Sequence, residues 1–194
     1  DAIYFDRVSK VLKSRFKLKA LDFKRTKDIL PLVDEMFEVF EKTYSNLSTY
    51  VPITEDQITY FKKKYISFIN PEYIKFVMDE NNKLIAFAIV MPSFSSALQK
   101  AKGRLFPLGM LGLLKAKRHA KDVTFYLIGV HPDYQNKGIT AIIFDQYTKT
   151  FAKKGIINCI RTPELEENES IKKIWADFNP VTHKRRRTYR KSIQ

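Results

Sequence analysis

The stretch of this chain best suited to binding a phosphate group is the loop Gln135–Thr140. It follows residues 123–130, which are rich in β-branched and aromatic side chains and therefore predict a strand that ends at Pro132. From Ile139 to Phe151 apolar residues recur every four positions, which predicts a helix. A strand, a tight polar loop and a helix start bring unpaired backbone N–H groups together, and such groups bind anions.

The loop sequence is Gln135-Asn136-Lys137-Gly138-Ile139-Thr140. It resembles the Q/R-x-x-G-x-G/A signature of the GNAT (GCN5-related) acyl-CoA N-acyltransferases. The resemblance implies that the backbone amides of these six residues wrap the CoA pyrophosphate, and that the glycine allows close approach of the chain. Thr140 stands where the family usually has Gly or Ala, and its small hydroxyl still fits. The alternative is an ordinary loop between a core strand and a core helix.

The same resemblance implies further cofactor contacts outside the loop. Main-chain groups of Ile128, Gly129 and Val130 are expected to pair with pantetheine where two neighbouring parallel strands splay apart. Asn168 matches the family asparagine that touches the cofactor. Trp175 falls at the position of the family's tyrosine general acid, and an indole N–H is not a usable acid. The sequence therefore assigns no general acid.

By resemblance, the reaction is direct attack of an amine on the thioester of acetyl-CoA or another acyl-CoA. A base must take the amine proton, and three carboxylates near the expected cleft are open candidates: Glu164, Glu166 and Glu167. The amine acceptor is not identified by the sequence. Candidate acceptor contacts lie between two predicted helices, with plain packing as the alternative; they are Tyr44, Asn46 and Tyr50.

The order of elements predicts the fold that must position these groups. The predicted elements are a helix in residues 1–15, a strand in 15–22, helices from Asp28 and Thr54, a hairpin over 73–91, the strand–loop–helix unit, a strand over 156–160 and a helix opened by Asn168. This order resembles the GNAT fold, an α/β (α+β) arrangement with a mixed, mostly antiparallel central sheet flanked by helices. A V-shaped splay is expected between its two parallel strands, which a right-handed crossover would connect.

The domain organisation follows from the same resemblance. Residues 1–14 are interpreted as an N-terminal helical arm and a candidate joint to upstream sequence, and residues 15–194 as a GNAT-like acyltransferase domain. Residues 93–121 are an insertion relative to the family, first apolar and then basic. The insertion has several interpretations: a packed helix, a lid, an acyl or acceptor surface, a partner-docking patch or a segment lying on an anionic membrane.

The tail, residues 182–193, is interpreted as a terminal strand with one basic face. Its basic run also suits nucleic acid or the 3′-phosphate of CoA.

Charge and composition limit the classes of partner. The net charge of +14 favours an anionic partner, namely nucleotide phosphates, nucleic acid or an anionic membrane face, although it also describes a solubilising surface. No apolar run approaches the length of a membrane-spanning helix. The single cysteine, Cys159, forms no internal disulfide and suggests a cytoplasmic protein. The three histidines have no metal-ligand spacing.

Two other functions remain open. One is a CoA-binding relative that has lost catalysis, suggested by Trp175 and Asn179-Pro180 in place of family residues. The other is an aminoacyl-tRNA-dependent transferase of tandem GNAT type, suggested by the basic charge and by the absence of an initiator methionine.

Overall fold

The computed structural model describes residues 2–48, 50–66, 68–106, 108–189 and 191–192. Its helices are α1 Ala2–Arg15, α2 Val33–Tyr44, α3 Glu55–Phe61, α4 Ser95–Ala101, α5 Leu108–His119, α6 Thr140–Lys154 and α7 Glu169–Trp175. Its strands are β1 Lys19–Asp22, β2 Ile74–Met78, β3 Leu84–Pro92, β4 Asp122–Val130 and β5 Asn158–Arg161.

The five strands form one sheet in the order β1-β2-β3-β4-β5. The first three ladders are antiparallel and the last, between β4 and β5, is parallel. Residues Leu84 to Val90 of β3 are all buried, as their continuous apolar run predicts. The mixed, mostly antiparallel sheet flanked by helices is thus confirmed.

Helix α6 connects the two parallel strands and lies against the sheet. The Tyr147 hydroxyl donates to the carbonyl of Tyr73 at 2.9 Å, and the Gln146 side-chain amide donates to the carbonyl of Leu21 at 3.0 Å. Both bonds satisfy polar groups that the packing of α6 buries. They fix the middle of α6 against β1 and the segment that precedes β2.

Helix α1 packs antiparallel along α6. The rings of Phe5 and Phe144 lie 5.6 Å apart, and the Lys149 ammonium contacts the Asp6 carboxylate at 2.7 Å. At the other end, Leu12 lies beside Gly138, in the loop that precedes α6. The N-terminal helix therefore borders the predicted phosphate loop.

Three local predictions differ from the structure. Helix α2 begins at Val33, because Asp28 pairs with Arg25 at 3.1 Å instead of capping a helix, and two short 3₁₀ turns come first. Strand β1 begins only at Lys19, because α1 continues to Arg15. Of the tail predicted as a strand over 182–193, residues 182–189 and 191–192 form no strand, and Arg190 and Ile193 lie outside the described residues. The described tail residues are exposed, so no buried face is available to stabilise a strand there.

The insertion forms a helical hairpin of α4 and α5 between β3 and β4. Within the described ranges, no helix combines the length and the apolar character needed to cross a bilayer.

Candidate functional site

The pairing between strands β4 and β5 ends halfway along β4. Their pairing runs from Asp122–Asn158 to Phe125–Arg161, while β4 continues for five more residues to Val130. At the point of divergence β4 also bulges: its register with β3 passes from Val90–Phe125 to Ile89–Leu127, leaving Tyr126 as the extra residue. The Tyr126 carbonyl still accepts a hydrogen bond from Thr162 Oγ1 at 3.3 Å, and the open edge of residues 127–130 beyond it is the V-shaped splay.

The backbone of β4 turns alternate residues toward this opening. The N–H of His131 donates to the carbonyl of Ile85 at 2.8 Å, so His131 and Gly129 face β3. By alternation, the N–H and C=O groups of Ile128 and Val130 face away from β3, into the splay. Gly129 is required by packing, because a Cβ there would lie 2.4 Å from Cε1 of Phe87.

Side chains already bind the two carbonyls in the opening. The carbonyl of Val130 accepts hydrogen bonds from Thr43 Oγ1 at 3.1 Å and from Gln135 Nε2 at 3.0 Å. The carbonyl of Ile128 accepts one bond, from the Tyr44 hydroxyl at 2.9 Å. Because a carbonyl oxygen has two lone pairs, Ile128 keeps one acceptor position and Val130 keeps none.

The loop after β4 presents a row of free amides. The N–H of Gln135 donates to the carbonyl of Pro132, so this residue closes the preceding turn. In the described chain, none of the five N–H groups from Asn136 to Thr140 has a hydrogen-bond acceptor. Asn136 and Gly138 have φ angles of +59° and +75°, which bend the row into a concave nest.

The loop is open to solvent and carries positive charge. Residues 135–138 are exposed. The ammonium of Lys137 lies 5.1 Å from the ring centroid of Tyr134 and 5.9 Å from that of Phe16, which follows α1. Leu12 borders the loop at Gly138, where a Cβ would lie in van der Waals contact with it at 3.5 Å. A diphosphate could therefore reach the amides from one side.

Structural comparison shows what this arrangement resembles. An aminoglycoside acetyltransferase, meta-AAC0020, from an uncultured soil metagenomic sample superposes with a TM-score of 0.56 at 13% identity, covering 94% of this chain and 99% of that one. An N-acetyltransferase from Staphylococcus aureus Mu50 gives 0.54 at 17% identity, with 84% and 82% covered. AAC(6')-Iy, in complex with a CoA bisubstrate analogue, gives 0.53 at 11% identity, with 91% and 99% covered. The chain has the GNAT fold.

Sequence comparison adds one relative. Protein YghO of Escherichia coli (strain K12) is 23% identical over 162 residues, which are 80% of this chain and 41% of YghO. The chain thus spans about two fifths of the length of that relative. No protein-family model matches the chain.

Within the GNAT fold, Glu164 stands out among the three candidate bases. Its carboxylate pairs with Arg161 at 3.1 Å, and burial raises its pKa, although the neighbouring Arg161 charge acts in the opposite direction. Its negative charge contributes to the raised pKa of Tyr44, for which burial is the larger cause. As whole residues all three glutamates are exposed, but the Glu164 side chain is only 23% exposed. Glu167 accepts a hydrogen bond from Ser48 at 3.1 Å.

Helix α7 holds two of the residues that the sequence singled out. Asn168 opens the helix as predicted: its side chain accepts a hydrogen bond from the N–H of Ile171 at 3.2 Å. Trp175 is buried against Phe125, at 4.9 Å between ring centroids, with the Arg161 guanidinium 5.4 Å from its ring. A buried indole in this packing is a structural anchor for the GNAT fold's parallel strands.

A second cleft, of about 350 Å³, lies between α2 and α3. It is lined by acidic and aromatic side chains, among them Asp34, Glu38, Glu41, Glu55, Phe37, Phe40 and Tyr50. Phe40 also stacks on Tyr44, with 4.5 Å between centroids, and so connects this cleft to the residue that binds the Ile128 carbonyl. The sequence analysis did not predict that these carboxylates share a cleft, because carboxylates on helices are usually ordinary surface charges. Of the predicted acceptor contacts, Tyr50 lines the cleft, while Tyr44 lies behind Phe40 and Asn46 is not among the lining residues.

No cluster of three or more potential metal ligands occurs within the described ranges.

Proposed function

We propose that this domain transfers an acyl group from acetyl-CoA, or another acyl-CoA, to an amine. The observation that carries the proposal is the row of five unpartnered amides, Asn136 to Thr140, at the end of a strand whose edge is open. Such a row binds a diphosphate without needing any particular side chain. The basic surface of the chain, with a net charge of +14, favours the approach of a polyanion.

The proposed binding mode uses the backbone of β4. The pyrophosphate would lie on the amides of residues 136–140, with the Lys137 ammonium beside it. The pantetheine arm would enter the splay and pair with the N–H groups of Ile128 and Val130 and the remaining acceptor position of the Ile128 carbonyl. Asn168 would border the same groove from α7. Gln135 contributes by holding the Val130 carbonyl, which fixes the loop.

We propose a cationic amine as the acceptor. The cleft between α2 and α3 concentrates carboxylates in a chain that is otherwise strongly basic, and its aromatic side chains suit an ammonium group. Phe40 lines the cleft, and Tyr44, stacked behind it, binds the Ile128 carbonyl of β4, where the thioester would lie. The amine nitrogen would attack the thioester carbonyl from this side.

Glu164 is proposed as the base. Its raised pKa suits a group that must take a proton from an ammonium or an attacking amine, and Glu164 lies near Tyr44, at the α2 side of the opening. The reacting nitrogen attacks as the neutral amine, after its ammonium form has released one proton to solvent. In the step, the C–N bond forms as the C–S bond breaks, the second amine proton passes to Glu164, directly or through one water, and CoA leaves as the thiolate. Solvent then protonates the thiolate, because Trp175 supplies no acid.

Titration calorimetry with acetyl-CoA tests the cofactor site. Gly138→Glu places a negative charge in the amide nest, and Gly155→Glu is its matched control, since Gly155 also has a positive φ (63°) and lies at the opposite end of α6. Both variants should lose similar stability, on the order of 1 kcal/mol. Only Gly138→Glu should lose acetyl-CoA binding. Unchanged affinity in Gly138→Glu, or no binding by the wild type at millimolar acetyl-CoA, contradicts the proposal.

A second candidate function is CoA binding without catalysis, because Trp175 replaces the residue that resemblance assigns as the acid. Thioester cleavage measured across a panel of amines distinguishes the two. Tight acetyl-CoA binding with no amine-dependent release of thiol would favour the second candidate.

A further inference from the structure

The α4–α5 hairpin packs through small residues on its inner face. A Cβ at Gly112 would meet the Ala97 methyl at 3.8 Å, and a Cβ at Gly109 would lie 3.1 Å from the Ala101 methyl. The two helices therefore approach each other closely without using their large apolar side chains. Lys117 joins the hairpin to the rest of the domain, with its ammonium 4.6 Å from the ring centroid of Phe68.

The large apolar residues of the hairpin consequently face solvent. Phe106, at the connection between the helices, is 88% exposed, and Leu108 and Leu111 are 76% and 62% exposed. Leu105, Met110 and Leu114 add exposed surface to the same half of the hairpin. We call these six residues the apolar tip. No residue of α5 is buried, which is unusual for a helix with this many apolar side chains.

Basic residues surround the apolar tip. Seven lysine and arginine residues and no aspartate or glutamate fall between Ser93 and Lys121. Four of them are exposed on the same part of the hairpin and form what we call the basic collar: Lys100, Lys102, Arg104 and Lys115. Arg118 is also exposed but lies toward the body of the domain, in a cleft with Thr26 and Ile69. A partner that complements an apolar patch with a positive rim must offer an apolar interior with negative charge at its boundary.

We propose that this hairpin docks on a membrane containing anionic phospholipids. The apolar tip enters the boundary between headgroups and acyl chains, and the basic collar contacts the phosphates. The hairpin lies on the bilayer rather than crossing it, since no described helix is long and apolar enough to span. An acidic protein partner would match the collar, but it would also need a concave apolar pocket for the protruding Phe106.

Tryptophan fluorescence tests insertion of the tip. Phe106→Trp keeps the tip apolar and places a reporter at its most exposed position, while Ile3→Trp places the same reporter on α1, where Ile3 is 86% exposed. Vesicles of phosphatidylcholine with phosphatidylglycerol should shift the Phe106→Trp emission to the blue and leave the Ile3→Trp emission unchanged. Vesicles of phosphatidylcholine alone should produce a much smaller shift. Equal spectra for both variants with anionic vesicles would overturn the proposal.

Vesicle co-sedimentation tests the collar with the full chain. Lys102→Gln combined with Arg104→Gln should lower the partition coefficient on anionic vesicles by roughly thirtyfold. The control pair, Arg7→Gln with Lys10→Gln, removes the same charge from the exposed face of α1 and should lower it much less. Leu108→Ser with Leu111→Ser should weaken binding by at least roughly tenfold. Equal losses in the two charge pairs would show non-specific attraction of a basic protein and would refute docking through the hairpin. Absence of wild-type binding, as an acidic protein partner would predict, also refutes it.

Discussion

The hydroxyl of Tyr44 donates a 2.9 Å hydrogen bond to the main-chain carbonyl of Ile128, joining the end of α2 to the open edge of β4. The two residues are 84 positions apart in the sequence. Thr43, the preceding residue, binds the Val130 carbonyl in the same way. Two side chains of α2 therefore bind the edge of β4 that β5 leaves unpaired. These bonds hold the two strands apart without another strand between them.

Replacing Tyr44 by phenylalanine tests this relationship. The ring can still stack on Phe40, but the Ile128 carbonyl loses its partner, so the free energy of unfolding should fall by about 1 kcal/mol. Acetyl-CoA affinity should stay the same or rise, because the carbonyl gains a free acceptor position. Chemical denaturation and calorimetry measure the two effects. Tyr60→Phe, at a ring 53% exposed, is the control and should change neither. A strong loss of acetyl-CoA binding in Tyr44→Phe would contradict this account.

Glu164→Gln should abolish most of the base catalysis. We expect kcat for amine acylation to fall by roughly 10²- to 10⁴-fold, with little change in the KM for acetyl-CoA. In the wild type, the rate should rise with pH as Glu164 loses its proton. Because burial raises the pKa of Glu164, that rise should occur above the ordinary glutamate range. The acid limb should disappear in Glu164→Gln.

Glu167→Gln is the matched control for the base. It removes a carboxylate from the same segment, and with it the acceptor of the Ser48 hydrogen bond. Its pH–rate profile should keep the acid limb of the wild type. If Glu167→Gln rather than Glu164→Gln removed the limb, the assignment of the base would be wrong.

Removing a negative charge from the acidic cleft should weaken binding of the amine acceptor and leave binding of the acyl-CoA donor unchanged. Glu41→Gln is expected to lower kcat/KM for a polycationic amine by roughly three- to fivefold, and more at low ionic strength. Asp56→Asn removes an exposed carboxylate of α3 that does not line the cleft, and it should leave the kinetics unchanged. Steady-state kinetics with polycationic and monocationic amines measures both. A loss of equal size in the two variants would show that only overall charge matters.

The sequence predicted correctly those elements whose structure is set by residues close together in the chain. The helix predicted from Thr54 is present, and its start is a capping box, in which the N–H of Gln57 donates to the Thr54 side chain and the N–H of Thr54 donates to the Gln57 side chain. The hairpin of β2 and β3, the buried run of β3 and the strand–loop–helix of β4 and α6 also agree with the pattern of residues. In each case propensity and burial favour the same structure over a short window.

The features that the sequence could not predict depend on contacts between residues far apart in the chain or on competing partners. Glu164 resembles Glu166 and Glu167 in sequence, and it differs because the fold partly covers its side chain, which is 23% exposed, beside Arg161. Asp28 has the right type and position for a helix cap, but the Arg25 guanidinium provides a competing partner. The tail is predicted to be a strand with one basic face, but its residues 182–189 are exposed and have no buried face to pack. The acidic cleft forms only when α2 and α3 come together.

The attachment of α1 should depend on pH through Asp6. Lys10 and Lys149 lower the pKa of the Asp6 carboxyl from 3.8 to about 2 in the folded protein. A lowered folded-state pKa favours the folded state once the carboxylate is ionised, so this contribution is complete above about pH 4 and disappears as the pH falls through 2. Denaturation at a series of pH values should show the wild type losing stability over this window more steeply than Asp6→Asn. Lys10→Gln, which leaves Lys149 in place, should give an intermediate slope. Parallel curves for the wild type and Asp6→Asn would mean that the Asp6 ion pairs contribute nothing to holding α1 on α6.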